Sequence, residues 1–318
     1  MACMRPLTKI AIIGTGQVGT ATAFQTVIEG LADELLLVGR HREKAEAQAL
    51  DLAQSVGALT RRTVVRAGTY ADCADADIVV LTASPRPDGA INRADLLDGS
   101  IAVVDEIVPQ IMDSGFAGIF LVITNPVDVV AQRVYELSGL PAPQVIGTGT
   151  SLDSVRLRLE LGRLLAVDPN SIQAYAMGEH GDSQMVPWSH VTFWGKPIAD
   201  VLADNPERAA GIDLDRVLVD AKATAQRIIR GKGTTSYAIA ATTCRILAAI
   251  LTDESGILPV SVLLEGRYGH SGVFAGVPCL LDRGGVQDVV DLHLTAEEQR
   301  AFDASIDVIR ETGRGHVG

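Results

Sequence analysis

Residues 8–19 read Thr8-Lys9-Ile10-Ala11-Ile12-Ile13-Gly14-Thr15-Gly16-Gln17-Val18-Gly19. The β-branched run predicts a buried strand that stops at Gly14. An alanine-rich stretch from Val18 to Glu29 predicts a helix directly after the glycines. A G-x-G-x-x-G motif carries meaning only in this setting, between a strand and a helix. Gly14 permits a tight turn, Gly16 lets the backbone approach a pyrophosphate, and Gly19 lets helix and strand pack closely. Gln17 and Val18 open the helix, whose N-terminus offers amides and a positive dipole end to an anion. The stretch predicts a dinucleotide site at the edge of a parallel sheet.

Outward from it, the same alternation repeats. Leu35–Val38 predicts a second strand and Glu43–Gln54 a second helix. Apolar runs follow at Val64–Val65, Ile78–Leu81, Ile119–Ile123 and Val145–Ile146, the last three separated by long amphipathic segments. Strands alternating with helices predict an α/β Rossmann fold, a doubly wound parallel sheet wrapped on both faces. Near residue 150 the pattern changes. A helix is predicted over 152–165, mixed strands to about Trp194, helices over 213–230 and 235–253, and short strands over 257–290. Thr295 and Glu298 form a capping box that opens a closing helix. The second half therefore reads as α+β. The predicted division is a dinucleotide-binding domain, residues 1–149, and a substrate and catalytic domain, residues 150–318. Gly313–Gly318 reads as a frayed tail.

Composition narrows the partners. The chain has 318 residues, with 27 basic and 39 acidic side chains and a formal charge of −12. That balance argues against nucleic acid, whose phosphates need a basic footprint, and against anionic membranes. Cys3, Cys73, Cys244 and Cys279 form no C-x-x-C pair, so neither a metal site nor a redox motif is expected. The N-terminus lacks the apolar segment of a secretory signal, and no apolar run reaches membrane-spanning length. A cytoplasmic location is the expectation.

The end of the second strand bears on the cofactor. An NAD-selective site usually places a carboxylate there to accept the ribose 2′-hydroxyl. This chain has Val38-Gly39-Arg40-His41-Arg42 instead, and its acids Asp33 and Glu34 lie at the strand's other end. Without the acid a 2′-phosphate is not repelled, and Arg40 or Arg42 can pair with it. NADP(H) is therefore expected to be favoured over NAD(H). Lys44, Tyr70, Ala83, Ser84 and Ile123 are further residues expected to line the cofactor.

Three clusters carry chemistry. Ile123-Thr124-Asn125-Pro126-Val127-Asp128 puts Asn125 at the carboxyl edge of the sheet. In Leu152-Asp153-Ser154-Val155-Arg156, the acid and the base are three apart and share a helix face. Gly178-Glu179-His180-Gly181-Asp182-Ser183 holds a histidine in a polar loop. Reducing a ketone builds negative charge on oxygen, and histidine can supply a proton there near neutral pH. A carboxylate partner favours the charged imidazole, and arginine grips a carboxylate in plane. The other histidines lack such a setting and read as structural.

With these residues the chain resembles the L-lactate and malate dehydrogenase family, including its L-2-hydroxyisocaproate branch. The resemblance runs from the glycine loop through Lys232-Gly233-Thr234-Thr235-Ser236-Tyr237. The stretch from Val145 to Ser154 is similar to the lactate and hydroxyisocaproate branches. It implies transfer of hydride between a nicotinamide cofactor and a small 2-oxo acid, giving an L-2-hydroxy acid. It implies His180 as acid and base, Asp153 as the group that holds its tautomer, and Arg156 as the clamp on the substrate carboxylate. Arg93 would close over the substrate and polarise its carbonyl. Asn125 would orient substrate and ring, Thr235 would line the pocket, and Ile239 would pack near the nicotinamide. A homodimer or homotetramer is also implied.

The chain departs from the pattern in two places. Malate enzymes carry an arginine six residues before the position of Arg93, and lactate enzymes a glutamine. Here that position is Pro87, with Arg86 beside it. The reading favours a monocarboxylate of lactate type or longer. The alternatives are a malate dehydrogenase in which Arg86 reaches a dicarboxylate, an NAD-dependent glycosidase, and a cofactor-binding sensor without turnover. Gln173 stands where members activated by fructose 1,6-bisphosphate carry histidine, although Arg158 matches another basic residue of that site. Weak or no activation is expected.

Overall fold

The computed structural model describes residues 7–85 and 93–318. Its first half contains β1 (Lys9–Ile13), α1 (Gln17–Glu29), β2 (Glu34–Val38), α2 (Arg42–Ala58), β3 (Val64–Ala67) and β4 (Ile78–Leu81). It continues through α3 (Arg93–Asp113), β5 (Ile119–Val122), α4 (Val127–Ser138) and β6 (Val145–Gly147). These strands are parallel in the order β3-β2-β1-β4-β5-β6. The expected Rossmann sheet is present. β1, β4 and β5 are buried along their whole length, which explains their unbroken apolar runs. β3 forms the edge, and its Val64 is 61% exposed. The order reverses between β1 and β4, so the carboxyl ends of these two strands frame the crevice where such sheets bind ligands.

The second half holds α5 (Ser151–Leu165), β7 (Ile172–Gln173), β8 (Thr192–Phe193), β9 (Lys196–Pro197), α6 (Ile198–Asp204) and α7 (Pro206–Ala209). After these come α8 (Leu214–Lys232), α9 (Tyr237–Leu251), β10 (Gly256–Glu265), β11 (Ser271–Asp282), β12 (Gly285–Val289) and α10 (Ala296–Gly313). Of the strands expected to be short over 257–290, β12 is short, with 5 residues, but the other two are not. β10 and β11 have 10 and 12 residues, and they extend the first sheet. Gly147 of β6 pairs with Ser261 of β10, giving a nine-stranded sheet. Pro259 and Pro278 interrupt both runs in the sequence. They stand opposite each other in the register, so their missing donors fall on one rung.

Two cores result. The larger runs through both halves, from Ile10 and Leu36 to Leu247, Phe274 and Phe302. The smaller joins α5, α8 and the β7–β9 region through Leu157, Leu161, Ile172, Phe193 and Val217. α5 belongs to both, since Leu152 enters the first core and Leu157 the second. Its polar N-terminal turn is held between them by two packed faces. The capping box at Thr295 and Glu298 forms as expected. The tail does not fray. Gly318 accepts a hydrogen bond from Gln132 and donates one to Glu136, and Arg314 bridges Val317. Glycines there let the chain turn back on α4, which composition alone read as looseness. Cys73, Cys244 and Cys279 are free and buried. Burial pushes the Cys73 and Cys244 thiols up to about 12, which leaves them protonated at neutral pH. No helix among the described residues is long and apolar enough to cross a membrane.

Candidate active site

Register builds the cofactor edge. Ile13 at the end of β1 lies beside Val38 and Leu81, so Gly14, Gly39 and Thr82-Ala83 converge just beyond the sheet. Gly14 has φ +111, and its amide donates to Val38 O at 2.8 Å. A Cβ on Gly14 would lie 2.6 Å from Thr82 Oγ1, and one on Gly19 only 1.9 Å from Gly14 O. A Cβ on Gly39 would lie 2.8 Å from Thr15 Oγ1. Backbone contacts require Gly14 and Gly19, whereas a side chain at Gly39 would have to displace the Thr15 side chain. Gly16 is different, because a Cβ there would meet nothing within 4 Å. Its backbone faces open space at the start of α1, where no side chain caps the helix and Gln17 is exposed. A pyrophosphate fits that cradle, and the glycine loop has the donors a nicotinamide dinucleotide needs. Val18 is half-buried behind it, and Ile123 and Ile239 are buried.

The strand end beyond Val38 carries no acid. Gly39 is followed by exposed Arg40, His41 and Arg42, then by half-buried Lys44. Arg42 is not idle. Its Nε donates to Glu46 Oε1 at 2.8 Å along α2. Tyr70 is half-buried on the turn after β3. Ser84 is exposed, and Ala83 O accepts the Thr124 hydroxyl at 2.7 Å, which ties the ends of β4 and β5 together. Asn125 is exposed at the end of β5, and its carbonyl accepts Ser100 Oγ at 2.7 Å.

α5 and the loop at 178–183 meet through charge. His180 Nδ1 lies 2.5 Å from Asp153 Oδ2, and the other carboxylate oxygen accepts Arg156 Nη1 at 3.0 Å. Asp153 is 5% exposed, while the side chains of Arg156 and His180 are 10% and 24% exposed. Among the described residues the guanidinium makes no other hydrogen bond. A planar fork with further donors therefore stands near an imidazole whose Nδ1 is engaged. Burial pushes Asp153 upward, yet His180 and Arg156 together bring it below the usual carboxylate range. Burial disfavours the His180 imidazolium, and Asp153, assisted by Asp128, outweighs it and raises the ring's pKa above 6.5.

The histidine loop is clamped from three sides. Gly178 exchanges backbone hydrogen bonds with Gly276 of β11. Glu179 N donates to Ser305 Oγ of α10 at 2.9 Å, and the Glu179 carboxylate accepts both Ser183 N and Ser183 Oγ. Asp128 Oδ2 accepts His180 N at 2.9 Å. Gly178 is needed there, since its Cβ would sit 2.3 Å from Ser305 Oγ and its φ is +88.

The structure thus joins His180, Asp153 and Arg156 in one bonded cluster. Thr235 is half-buried on the turn before α9. Arg93 begins α3. Arg86 and Pro87 lie outside the described residues. Sequence reading missed Asp128, Ser261 and Ser305. The available signal was Asp128 itself, an acid in the first turn of a helix that starts at the sheet's carboxyl edge. Such acids also serve helix dipoles, so nothing in the sequence singles it out.

Relatives agree with this geometry. Residues 8–147 match the NAD-binding domain model of lactate/malate dehydrogenase, and residues 150–314 match its α/β C-terminal domain model. The chain is 45% identical to L-lactate dehydrogenase 3 of Bacillus anthracis over 303 residues, 95% of this chain and 96% of the relative. It is 42% identical to L-lactate dehydrogenase 2 of Lactococcus lactis subsp. lactis over 304 residues, with the same coverage of 95% and 96%. The ligand-bound crystal structure of the minor L-lactate dehydrogenase from Enterococcus mundtii superposes with a TM-score of 0.93 at 40% identity, covering 97% of this chain and 98% of that one. The chain belongs to the lactate/malate dehydrogenase family, on its L-lactate branch.

Proposed function

We propose that the protein is an L-2-hydroxyacid dehydrogenase of L-lactate type, reducing a small 2-oxo monocarboxylate. The observation that carries this reading is the bonded cluster of Arg156, Asp153 and His180. Residues 1–149 hold the cofactor and residues 150–318 supply the acid, base and clamp. The nicotinamide, when bound, supplies or accepts the hydride. Arg156 holds the substrate carboxylate with its remaining donors and so fixes the face presented to hydride. His180 delivers a proton to the forming alkoxide from the nitrogen that Asp153 does not engage. Asp153 keeps that tautomer and stabilises the imidazolium. Asn125 orients substrate and ring, Arg93 polarises the carbonyl, Thr235 lines the pocket and Ile239 packs by the nicotinamide.

Two finer features belong to the same proposal. NADPH is favoured over NADH, because the end of β2 offers Gly39 and exposed Arg40 where an acid would repel a 2′-phosphate. Arg42 would first have to leave Glu46, a small cost for an exposed pair. Pro87 six residues before Arg93 leaves the far end of the substrate without a charged partner and suits an apolar side chain. The protein works as a homodimer or homotetramer, and fructose 1,6-bisphosphate has little effect, given Gln173. The test is turnover of pyruvate, 2-oxoisocaproate, phenylpyruvate and oxaloacetate with each cofactor. A monocarboxylate with NADPH should give the highest kcat/KM. A strong preference for oxaloacetate would overturn the substrate reading, and a clear NADH advantage the cofactor reading.

A further inference from the structure

Asp128 is a buried carboxylate that the chemistry described so far leaves without a task. It is 3% exposed. Its Oδ2 accepts the His180 backbone amide at 2.9 Å, and its Oδ1 accepts the Ser261 hydroxyl at 2.6 Å. Ser261 is fully buried on β10, opposite Gly147 of β6. Asp128 lies in the first turn of α4, three residues after Asn125. One side chain therefore ties the histidine loop to the Asn125 turn and to the centre of the sheet.

An acceptor for one amide does not require a charge. Serine or asparagine would accept that hydrogen bond, whereas a buried carboxylate is costly to ionise. Burial pushes Asp128 up to about 6, against the help it gets from Ser261 and the His180 amide. Ionising it therefore comes at a cost to the fold.

The charges around His180 explain why that cost is tolerated. α5 contributes Asp153 and Arg156, α4 contributes Asp128, and the loop itself contributes Glu179. Arg156 opposes an imidazolium and also shares Asp153 with it. The Glu179 carboxylate is taken up by Ser183. A second buried negative charge, on the carboxylate that holds the His180 amide, offsets Arg156.

We propose that Asp128 is a positioning residue for proton transfer, fixing the His180 backbone against the Asn125 turn and supplying the second negative charge that keeps the imidazole protonated. This rests on the role proposed for His180.

The test reads the imidazole directly. The full chain labelled with [13Cε1]histidine gives signals from six histidines, and that of His180 is the one lost in His180→Asn. Titrating the parent and Asp128→Asn gives the His180 pKa in each without substrate. The carboxamide still accepts the His180 amide and can donate to Ser261, so the charge is removed while the contacts remain. The His180 pKa should fall by about 0.5–1 unit. In reduction of the best 2-oxo acid of the panel with the preferred cofactor, kcat should fall roughly five-fold or more while KM changes less than about two-fold. Ser261→Ala should move the His180 pKa in the same direction by less, since losing that hydrogen bond makes Asp128 harder to ionise. Ser261→Ala decides the matter if Asp128→Asn does not fold. An unchanged His180 pKa in the folded variant overturns the proposal, whatever happens to turnover. A parent without turnover but with the pKa difference intact upholds the charge coupling and overturns the reading of the reaction.

Discussion

His180 and Arg40 are held in opposite ways. The imidazole sits in a closed set of charges in which Asp153 serves both His180 and Arg156, and Asp128 holds the loop from beneath. Arg40 lies exposed at the end of β2, next to an Arg42 whose pair with Glu46 is open to water. In the first region each charge depends on the others, and removing one leaves another buried without compensation. In the second, each side chain can change with little effect on its neighbours. The proposed proton relay and the proposed cofactor choice thus rest on regions with very different tolerance for substitution.

The sharpest way to break the contrast is Arg156→Leu. It removes the carboxylate clamp and also one partner of buried Asp153. We expect kcat/KM for pyruvate to fall about 10³-fold, with cofactor Kd within about two-fold, measured by steady-state kinetics and by quenching of protein fluorescence. A loss confined to cofactor binding would mean the clamp lies elsewhere. Next comes Gly39→Asp, which restores an acid at the strand end once Thr15 Oγ1 turns aside. The kcat/KM ratio of NADPH to NADH should drop about ten-fold or more. A ratio that stays put would show that the β2 end does not read the 2′ position. The smallest effect belongs to Arg42→Ala. Its partner is Glu46 on the same exposed helix face, so the ratio should move less than about two-fold and the Tm should stay where it is.

Linkage separates the regions too. Asp153 is depressed, so its contribution to stability is present above its usual carboxylate range and lost as pH falls through its folded value. His180 is raised, so its contribution is full below 6.5 and lost as pH rises through its folded value. Asp128 is raised to about 6, so its stabilising share is present below 3.8 and gone above about 6. The cluster is held at neutral pH by Asp153 against the cost of Asp128.

Much of this was readable in the chain. The glycine loop and the apolar runs gave the parallel sheet because buried parallel strands leave unbroken runs. Asp153 and Arg156 shared a helix face by spacing alone, and the Gly-flanked His180 completed the set by resemblance. What the sequence hid depended on distant pairing. β10 and β11 run through Pro259 and Pro278 because the two prolines fall opposite each other. Asp128 met His180 and Ser261 only because β10 joined β6, at a separation of 133 residues between acid and hydroxyl. The tail looked loose because glycine content says nothing about where a chain turns back.

We propose that His180 carries the proton, with its pKa raised by the carboxylates around it. It is tested most directly by the pH dependence of kcat/KM in both directions, pyruvate reduction and L-lactate oxidation, using the preferred cofactor. Reduction should fall and oxidation rise with increasing pH through one shared pKa above 6.5, and His180→Asn should lose this ionisation together with about 10³-fold or more of turnover. A flat profile, a controlling pKa below 6.5, or a His180→Asn enzyme within a few-fold of the parent would contradict it.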